Sequence, residues 1–434
     1  MDTWWCESAW IEGTVVNGVA ITADPSGSIL GVEVNAPPDV GERLSGLVFP
    51  GFANAHSHAF HRALRGRTHQ QGDFWAWRDA MYQIAHRLDP DSYRELATAV
   101  YTEMVLAGFT CVGEFHYLHH QPDGRPYDEP NAMGLALIDA ARQAGIRLTL
   151  LDACYLTGGI GQPLGPLQVR FGDGDADHWA IRMAELSEDT ATRVGAAVHS
   201  VRAVPVNQVS TVAEAAAGRP LHVHLSEQPA ENEDCLRAYG LTPANVLAEQ
   251  GALGPNTTVI HATHVSADDL ELLGTSGSGA CICPTTERDL GDGIGPAWEL
   301  AEAGVQLSLG SDQHAVIDPF EEARGLELHE RLDTGARGAF SSSALINALT
   351  VNGHRALGWN QGGVIQLGAP CDLVAVNTSS VRTAGADPGQ LVYAATASDV
   401  SDVVINGQRI VGGGEHRFGD PGPGLARAIT ELWD

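Results

Sequence analysis

The chain has 434 residues and a formal charge of −29, with 44% hydrophobic and 18% charged residues. That composition belongs to a soluble globule, and so acidic a surface repels nucleic acid and anionic membrane, which excludes both as main partners. The length exceeds one small core and suits a barrel of ~250 residues with a smaller domain beside it.

All 25 basic residues are arginine, and lysine is absent. This rules out a Schiff base to pyridoxal phosphate, a phosphate-loop lysine and a carbamylated lysine bridging two metals. The seven cysteines (Cys6, Cys111, Cys154, Cys235, Cys281, Cys283 and Cys371) are odd in number and scattered, several within apolar runs. Reduced thiols in a core read this way, and Cys281-Ile282-Cys283 reads as two strand cysteines rather than a metal pair. Residues 1–7 lack the basic and apolar parts of a secretion signal, and no apolar run reaches the ~18 residues of a membrane span. The expectation is a cytoplasmic protein.

Residues 1–48 show short alternating segments separated by turns, with Asn17-Gly18 as a hairpin signal. They predict a small antiparallel sheet. The run Leu47-Val48-Phe49 reads as a buried strand leading into Pro50-Gly51. From residue 49 onward, helical stretches alternate with short apolar strands, the rhythm of parallel β/α units. The first such strand ends at His56-Ser57-His58. Others are expected at 110–115, 147–153, 194–199, 221–227, 258–264, 279–284 and 306–312, with helices at about 91–108 and 131–145. Eight units close into a (β/α)8 barrel of the TIM type, whose chemistry sits at the C-terminal strand ends. After helices at about 341–358, alternating strands return at 368–376 and 402–411. The domain reading is a small β-sandwich-like domain from 1–48 plus 363–412, a barrel over 49–362, and a surface tail over 413–434.

Nearly every polar group of note falls at an expected strand end: His56, His58, Tyr117, His199, Arg202, His224, Glu227, His261 and Asp312. In extended chain, residues i and i+2 point to the same side, so His56 and His58 aim both imidazoles at one place. With His224 and Asp312 they make a donor set suited to a divalent cation such as zinc, which lowers the pKa of bound water towards ~7. Asp312 can also accept a proton. Glu227, three residues after His224, is placed to pass a proton to a leaving group, and His261 to polarise the group attacked. His264 competes with His261, which is preferred because it lies at the strand end proper. His222 faces as His224 does and reads as a barrel-wall residue.

These residues resemble the amidohydrolase superfamily in its mononuclear deaminase branch, and the missing lysine agrees with a single metal. The runs Gly72-Asp73-Phe74-Trp75-Ala76-Trp77-Arg78, Glu114-Phe115-His116-Tyr117, His199-Ser200-Val201-Arg202-Ala203-Val204 and Cys283-Pro284-Thr285-Thr286-Glu287-Arg288-Asp289-Leu290-Gly291-Asp292-Gly293 resemble the formimidoylglutamate deiminases of histidine degradation. The resemblance implies hydrolysis of N-formimidoyl-L-glutamate to N-formyl-L-glutamate and ammonia, with one zinc ion per subunit. It implies that His56, His58, His224 and Asp312 hold zinc, that Glu227, His261 and Asp312 serve the chemistry, and that Arg78, Tyr117, His199 and Arg202 bind substrate. Arginine also suits a dicarboxylate, which it grips by paired charge-assisted hydrogen bonds. Relatives often carry Gln where this chain has His61, a further substrate-binding candidate. Two rival readings are a related deaminase acting on a heterocycle such as guanine and a non-catalytic dicarboxylate-binding barrel. A homodimer is among the assemblies the reading allows, and closure of the 285–293 loop over substrate is left open.

Overall fold

The computed structural model describes residues 1–69 and 74–434. Gly72 and Asp73 of the aromatic motif therefore lie outside the described residues. The chain opens with four strands, β1 (Asp2–Ile11), β2 (Thr14–Ala23), β3 (Ile29–Val34) and β4 (Glu42–Pro50). Eight more follow in β/α alternation: β5 (Phe52–Ser57), β6 (Phe109–His116), β7 (Arg147–Cys154), β8 (Thr192–Val198), β9 (Leu221–Leu225), β10 (Thr257–His261), β11 (Gly279–Ile282) and β12 (Gln306–Leu309). Four close the chain: β13 (Leu373–Val376), β14 (Val400–Ile405), β15 (Gln408–Gly412) and β16 (Glu415–His416).

β5 to β12 pair in sequence order, all parallel. The ring closes just beyond β12, where the Asp312 N–H donates to the His56 carbonyl at 3.0 Å and the His58 N–H to the Asp312 carbonyl at 3.1 Å. The remaining strands form one sheet in the order β16-β15-β14-β13-β4-β1-β2-β3. Both chain ends thus build a single sheet beside the barrel. It is mixed rather than purely antiparallel, because β1 runs parallel to β4.

The run Leu47-Val48-Phe49 is buried, as its composition demands, but it belongs to β4 and pairs with β13, not with the barrel. Pro50-Gly51 makes the break between the two sheets. A Cβ at Gly51 would stand 2.2 Å from Thr110 Oγ1, so only glycine lets β4 pass this close to β6. Phe49, Phe52 and Phe320 pack where the sheet meets the barrel, with ring centroids 5.5–6.4 Å apart. A buried two-bond ion pair from Arg147 to Asp372, at 2.9 and 3.2 Å, joins β7 to the approach to β13.

Asn17-Gly18 is not a turn. It lies within β2, where Asn17 pairs with Ser8, and the pairing continues until Asp2 meets Ala23. Burial of Trp4, Val19 and Ile21 across that long ladder outweighs the local signal. The turn falls at Glu12-Gly13, whose φ values of 48° and 78° supply the two left-handed positions of a two-residue hairpin. The same Asn-Gly pair does turn the chain at Asn406-Gly407, between β14 and β15. The segment after Gly412, expected as a surface tail, instead carries β16 and a helix, Gly422–Trp433. That helix buries Leu425, Ala428 and Leu432 and anchors itself by a bond from Trp433 Nε1 to the Ala63 carbonyl. All seven cysteines are free and buried. Among the described residues, no helix is long and apolar enough to cross a membrane.

Candidate active site

The barrel's C-terminal rim gathers the expected residues into one hollow of about 220 Å³. His58, His61, Arg78, Tyr117, His199, Arg202, His224, Glu227, His261 and Asp312 all line it. His56 lies directly beneath, with no exposed surface. Five of the nine non-glycine residues with left-handed backbone among the described residues sit at this rim: Ser226, His261, Ala262, Asp312 and His314. Such backbone costs of order 1 kcal/mol or more per residue and persists where the surroundings dictate it.

Two of the histidines have their tautomer fixed from behind. His58 Nδ1 donates to the Phe115 carbonyl at 2.9 Å, and His224 Nδ1 to the His199 carbonyl at 2.8 Å. Each therefore turns a bare Nε2 lone pair inward. There, His224 Nε2 stands 3.1 Å from His56 Nε2, while Asp312 Oδ1 stands 3.3 Å from His56 Nε2 and 3.4 Å from His58 Nε2. Lone pairs facing a carboxylate repel one another unless a cation lies between them. Two bonds of ~2.0–2.1 Å at a tetrahedral angle would set the donor atoms roughly 3.3 Å apart, which is the spacing seen. Burial, reinforced by the neighbouring histidines, holds His56 and His224 well below the usual imidazole range, and burial holds His58 down against the pull of Asp312. All three stay neutral and fit a metal as ligands.

Gly310 makes this convergence sterically feasible. A Cβ there would lie 2.7 Å from His56 Cβ and 2.9 Å from its carbonyl oxygen. Beside this cluster, Glu114 accepts from Ser57 Oγ at 2.8 Å and from the Ala59 N–H at 2.7 Å, bracketing His58. Burial pushes the Glu114 carboxyl up to about 8. Asn54, Ser311 and His314 continue the buried network.

His261 faces three carboxylates. Its Nε2 is 3.7 Å from both Glu227 Oε1 and Asp312 Oδ2, and its Nδ1 is 3.4 Å from Glu287 Oε1. Burial alone would lower its pKa, but Glu227, Glu287 and Asp312 together push it up to about 10. Burial raises the Glu227 carboxyl, although His261 and Arg202 partly offset this. The rim therefore holds an imidazole and a carboxyl whose protons depend on one another, close enough to pass one between them.

Arg78 and Arg202 also line the wall of the hollow. The Arg78 guanidinium stacks 4.4 Å over Trp75 and 5.5 Å over Tyr82, with no carboxylate partner among the described residues. Arg202 Nε is 2.9 Å from Glu231 Oε2 and its Nη2 is 3.6 Å from Glu227 Oε2. His61 Nε2 pairs with Tyr117 Oη at 2.9 Å, and the His199 ring packs on Tyr155 with centroids 4.3 Å apart. His264 turns away and bonds the Asp292 carbonyl, while His222 bonds the Ala356 carbonyl inside the barrel. Residues 284–290 form a helix, not an open loop, and it is pinned by Thr285 N to Glu322 and Gln313 to Asp289. Sequence reasoning missed Glu114, Glu231 and Glu287. A carboxylate inside the apolar β6 was the one readable signal among them.

Fold and site together define a hydrolase that works at the mouth of a parallel barrel with a metal-ready cluster of three histidines and an aspartate. The amidohydrolase family's sequence profile matches residues 47–410, and the chain belongs to that family. It is 36% identical over 417 residues to the formimidoylglutamate deiminase of Pseudomonas aeruginosa, covering 91% of each chain. To the 5-methylthioadenosine/S-adenosylhomocysteine deaminase of Halobacterium salinarum it is 29% identical over 412 residues, covering 91% of this chain and 88% of the relative. The crystal structure of an amidohydrolase from Brucella melitensis superposes with a TM-score of 0.93 at 32% identity, over the whole of both chains. The chain is an enzyme of this deaminase group, hydrolysing a carbon–nitrogen bond.

Proposed function

We propose that the protein hydrolyses N-formimidoyl-L-glutamate to N-formyl-L-glutamate and ammonia, a step of histidine degradation, with one zinc ion per subunit. The observation that carries this reading is Arg78, a stacked cation that faces the same hollow as Arg202 and has no carboxylate partner among the described residues, in a protein of charge −29. Two guanidinium groups suit a substrate with two carboxylates. The 36% identity to a formimidoylglutamate deiminase supports the same choice.

His56, His58, His224 and Asp312 would hold the ion, which when bound supplies Lewis-acid activation of water at neutral pH. The arginines, with Tyr117, His199 and His61, hold the glutamate portion so that its formimidoyl carbon lies against the cluster. As water adds to that carbon, Asp312 takes the proton released. Glu227 carries a proton to the departing nitrogen, and His261 polarises the group attacked. The tetrahedral carbon collapses to the formyl product as ammonia leaves.

The decisive measurement is an assay of purified, metal-analysed protein on formimidoylglutamate, with the nitrogen product identified. Ammonia supports the reading, whereas formamide, or turnover of purines in its place, defeats it. The purine outcome would favour the heterocycle reading that the relative from Halobacterium salinarum represents.

A further inference from the structure

Glu231 stands on the first turn of the helix Pro229–Tyr239, four residues beyond Glu227. Its side chain is fully buried, and its two oxygens do different work. Oε1 accepts the backbone N–H of Ser226 at 3.1 Å, and Oε2 lies 2.9 Å from Arg202 Nε as an ion pair that lacks the angle of a hydrogen bond. Ser226 has φ 49°, a left-handed conformation that needs holding. One carboxylate therefore ties the end of β9 to the loop that follows β8.

The consequence for Arg202 is specific. A guanidinium can meet a carboxylate along its Nε–Nη edge or across its two terminal nitrogens. Glu231 lies against the Nε side as a charge partner. The terminal nitrogens are left for the pocket, with Nη2 3.6 Å from Glu227 Oε2 on one side. The long arginine side chain, which otherwise surrenders ~2 kcal/mol of rotamer entropy on binding, is restrained by this buried charge. The pairing is mutual, since a buried Glu231 without this cation would be left uncompensated.

We propose that Glu231 is a positioning residue that holds Arg202 for an end-on grip of a substrate carboxylate; this rests on the substrate reading above.

The test compares wild type, Glu231→Ala, Glu231→Gln, Arg202→Ala and the double variant Glu231→Ala/Arg202→Ala, all zinc-loaded. Glu231→Ala should raise KM for formimidoylglutamate about tenfold or more while kcat stays within about threefold. Formamidine, which has the same reactive group and no carboxylate, should be turned over equally by wild type and Glu231→Ala. The double variant should be no worse than Arg202→Ala alone. Equal slowing on formamidine, or full additivity in the double variant, overturns the proposal by placing the effect in Glu227 or the fold. Glu231→Gln keeps an acceptor for Ser226 but loses the charge pair, and it carries the test if the alanine variant fails to fold. Calorimetry with glutarate reads the clamp without turnover. Binding weakened about tenfold in Glu231→Gln upholds it even if formimidoylglutamate proves not to be the substrate. Equal affinity in both proteins, or no binding by wild type, overturns it.

Discussion

Asp312 meets His56 twice. Its backbone N–H donates to the His56 carbonyl at 3.0 Å, and its carboxylate Oδ1 stands 3.3 Å from His56 Nε2. The hydrogen bonds that close the barrel therefore also set the distance between the first and last members of the candidate metal cluster. The φ of 41° at Asp312 is the local cost of that double duty. A rim built this way places its donor atoms before any ion arrives.

Replacing Asp312 with Asn should separate these two roles. The backbone pairing survives, so the metal-free melting temperature should stay within a few degrees of wild type. Turnover should fall at least about 10³-fold, since the proton acceptor and an anionic ligand are both lost. Near-normal kcat in a variant with verified metal content would remove Asp312 from the chemistry.

Chelation should abolish activity, and stoichiometric zinc should restore it. An ion that binds only the folded state adds ~2.7 kcal/mol at 100 times its dissociation constant, so the melting temperature should rise with free zinc concentration. Elemental analysis should return one ion per chain. Full activity in protein shown to be metal-free would contradict the proposed role of the cluster.

His61 stands where the family resemblance leads one to expect Gln. Its Nε2 lies 2.9 Å from Tyr117 Oη, and a Gln amide can span the same distance from the same backbone position. His61→Gln should therefore keep kcat and KM within about threefold, whereas His61→Ala should cost about 1 kcal/mol or more by leaving the buried Tyr117 hydroxyl short of a partner. A large effect of the Gln variant on KM alone would show that the imidazole itself touches substrate.

The sheet carries its own pH response. Arg382 grips both oxygens of buried Asp399 at 2.9 Å, with Ser380 and Thr396 also donating. Burial alone would raise this carboxyl, but the Arg382 bonds and the other donors bring it down from 3.8 to about 2. A depressed folded-state pKa means that the stabilisation is complete above pH ~4 and is lost as pH falls towards 2. Asp399→Asn should be destabilised at pH 7 by about 1 kcal/mol, a figure reduced for the solvent exposure of Arg382. The gap from wild type should narrow as pH drops from 4 to 2. Parallel denaturation curves across that range would show that Asp399 is not held this way.

The convergence of the residues proposed to hold the metal was legible in the sequence because a strand repeats every two residues and a parallel barrel gathers strand ends in one place. His56, His58, His224 and Asp312 needed no tertiary information beyond that. Glu231 was hidden because Glu231-Asn232-Glu233-Asp234 reads as a solvated acidic helix turn, and only the fold turns one of its carboxylates inward. Gly310 shows its purpose only when β12 lies against His56, more than 250 residues away in sequence. Asn17-Gly18 misled because a two-residue signal was set against the ten-residue ladder of β1 with β2.

Glu287 yields the last prediction. Its Oε1 accepts the Cys283 N–H at 2.9 Å and faces His261 Nδ1 at 3.4 Å. A proton shared there directs the other nitrogen of His261 at Glu227 and Asp312, as the backing carbonyls do for His58 and His224. Glu287→Gln should lower kcat roughly 10- to 100-fold and leave KM nearly unchanged, because the residue touches His261 and not the arginine wall. Combined with His261→Ala, it should add little to the loss from His261→Ala alone. If the two losses multiply instead, Glu287 acts through the fold of the 284–290 helix, which an unchanged melting temperature in Glu287→Gln would in turn exclude.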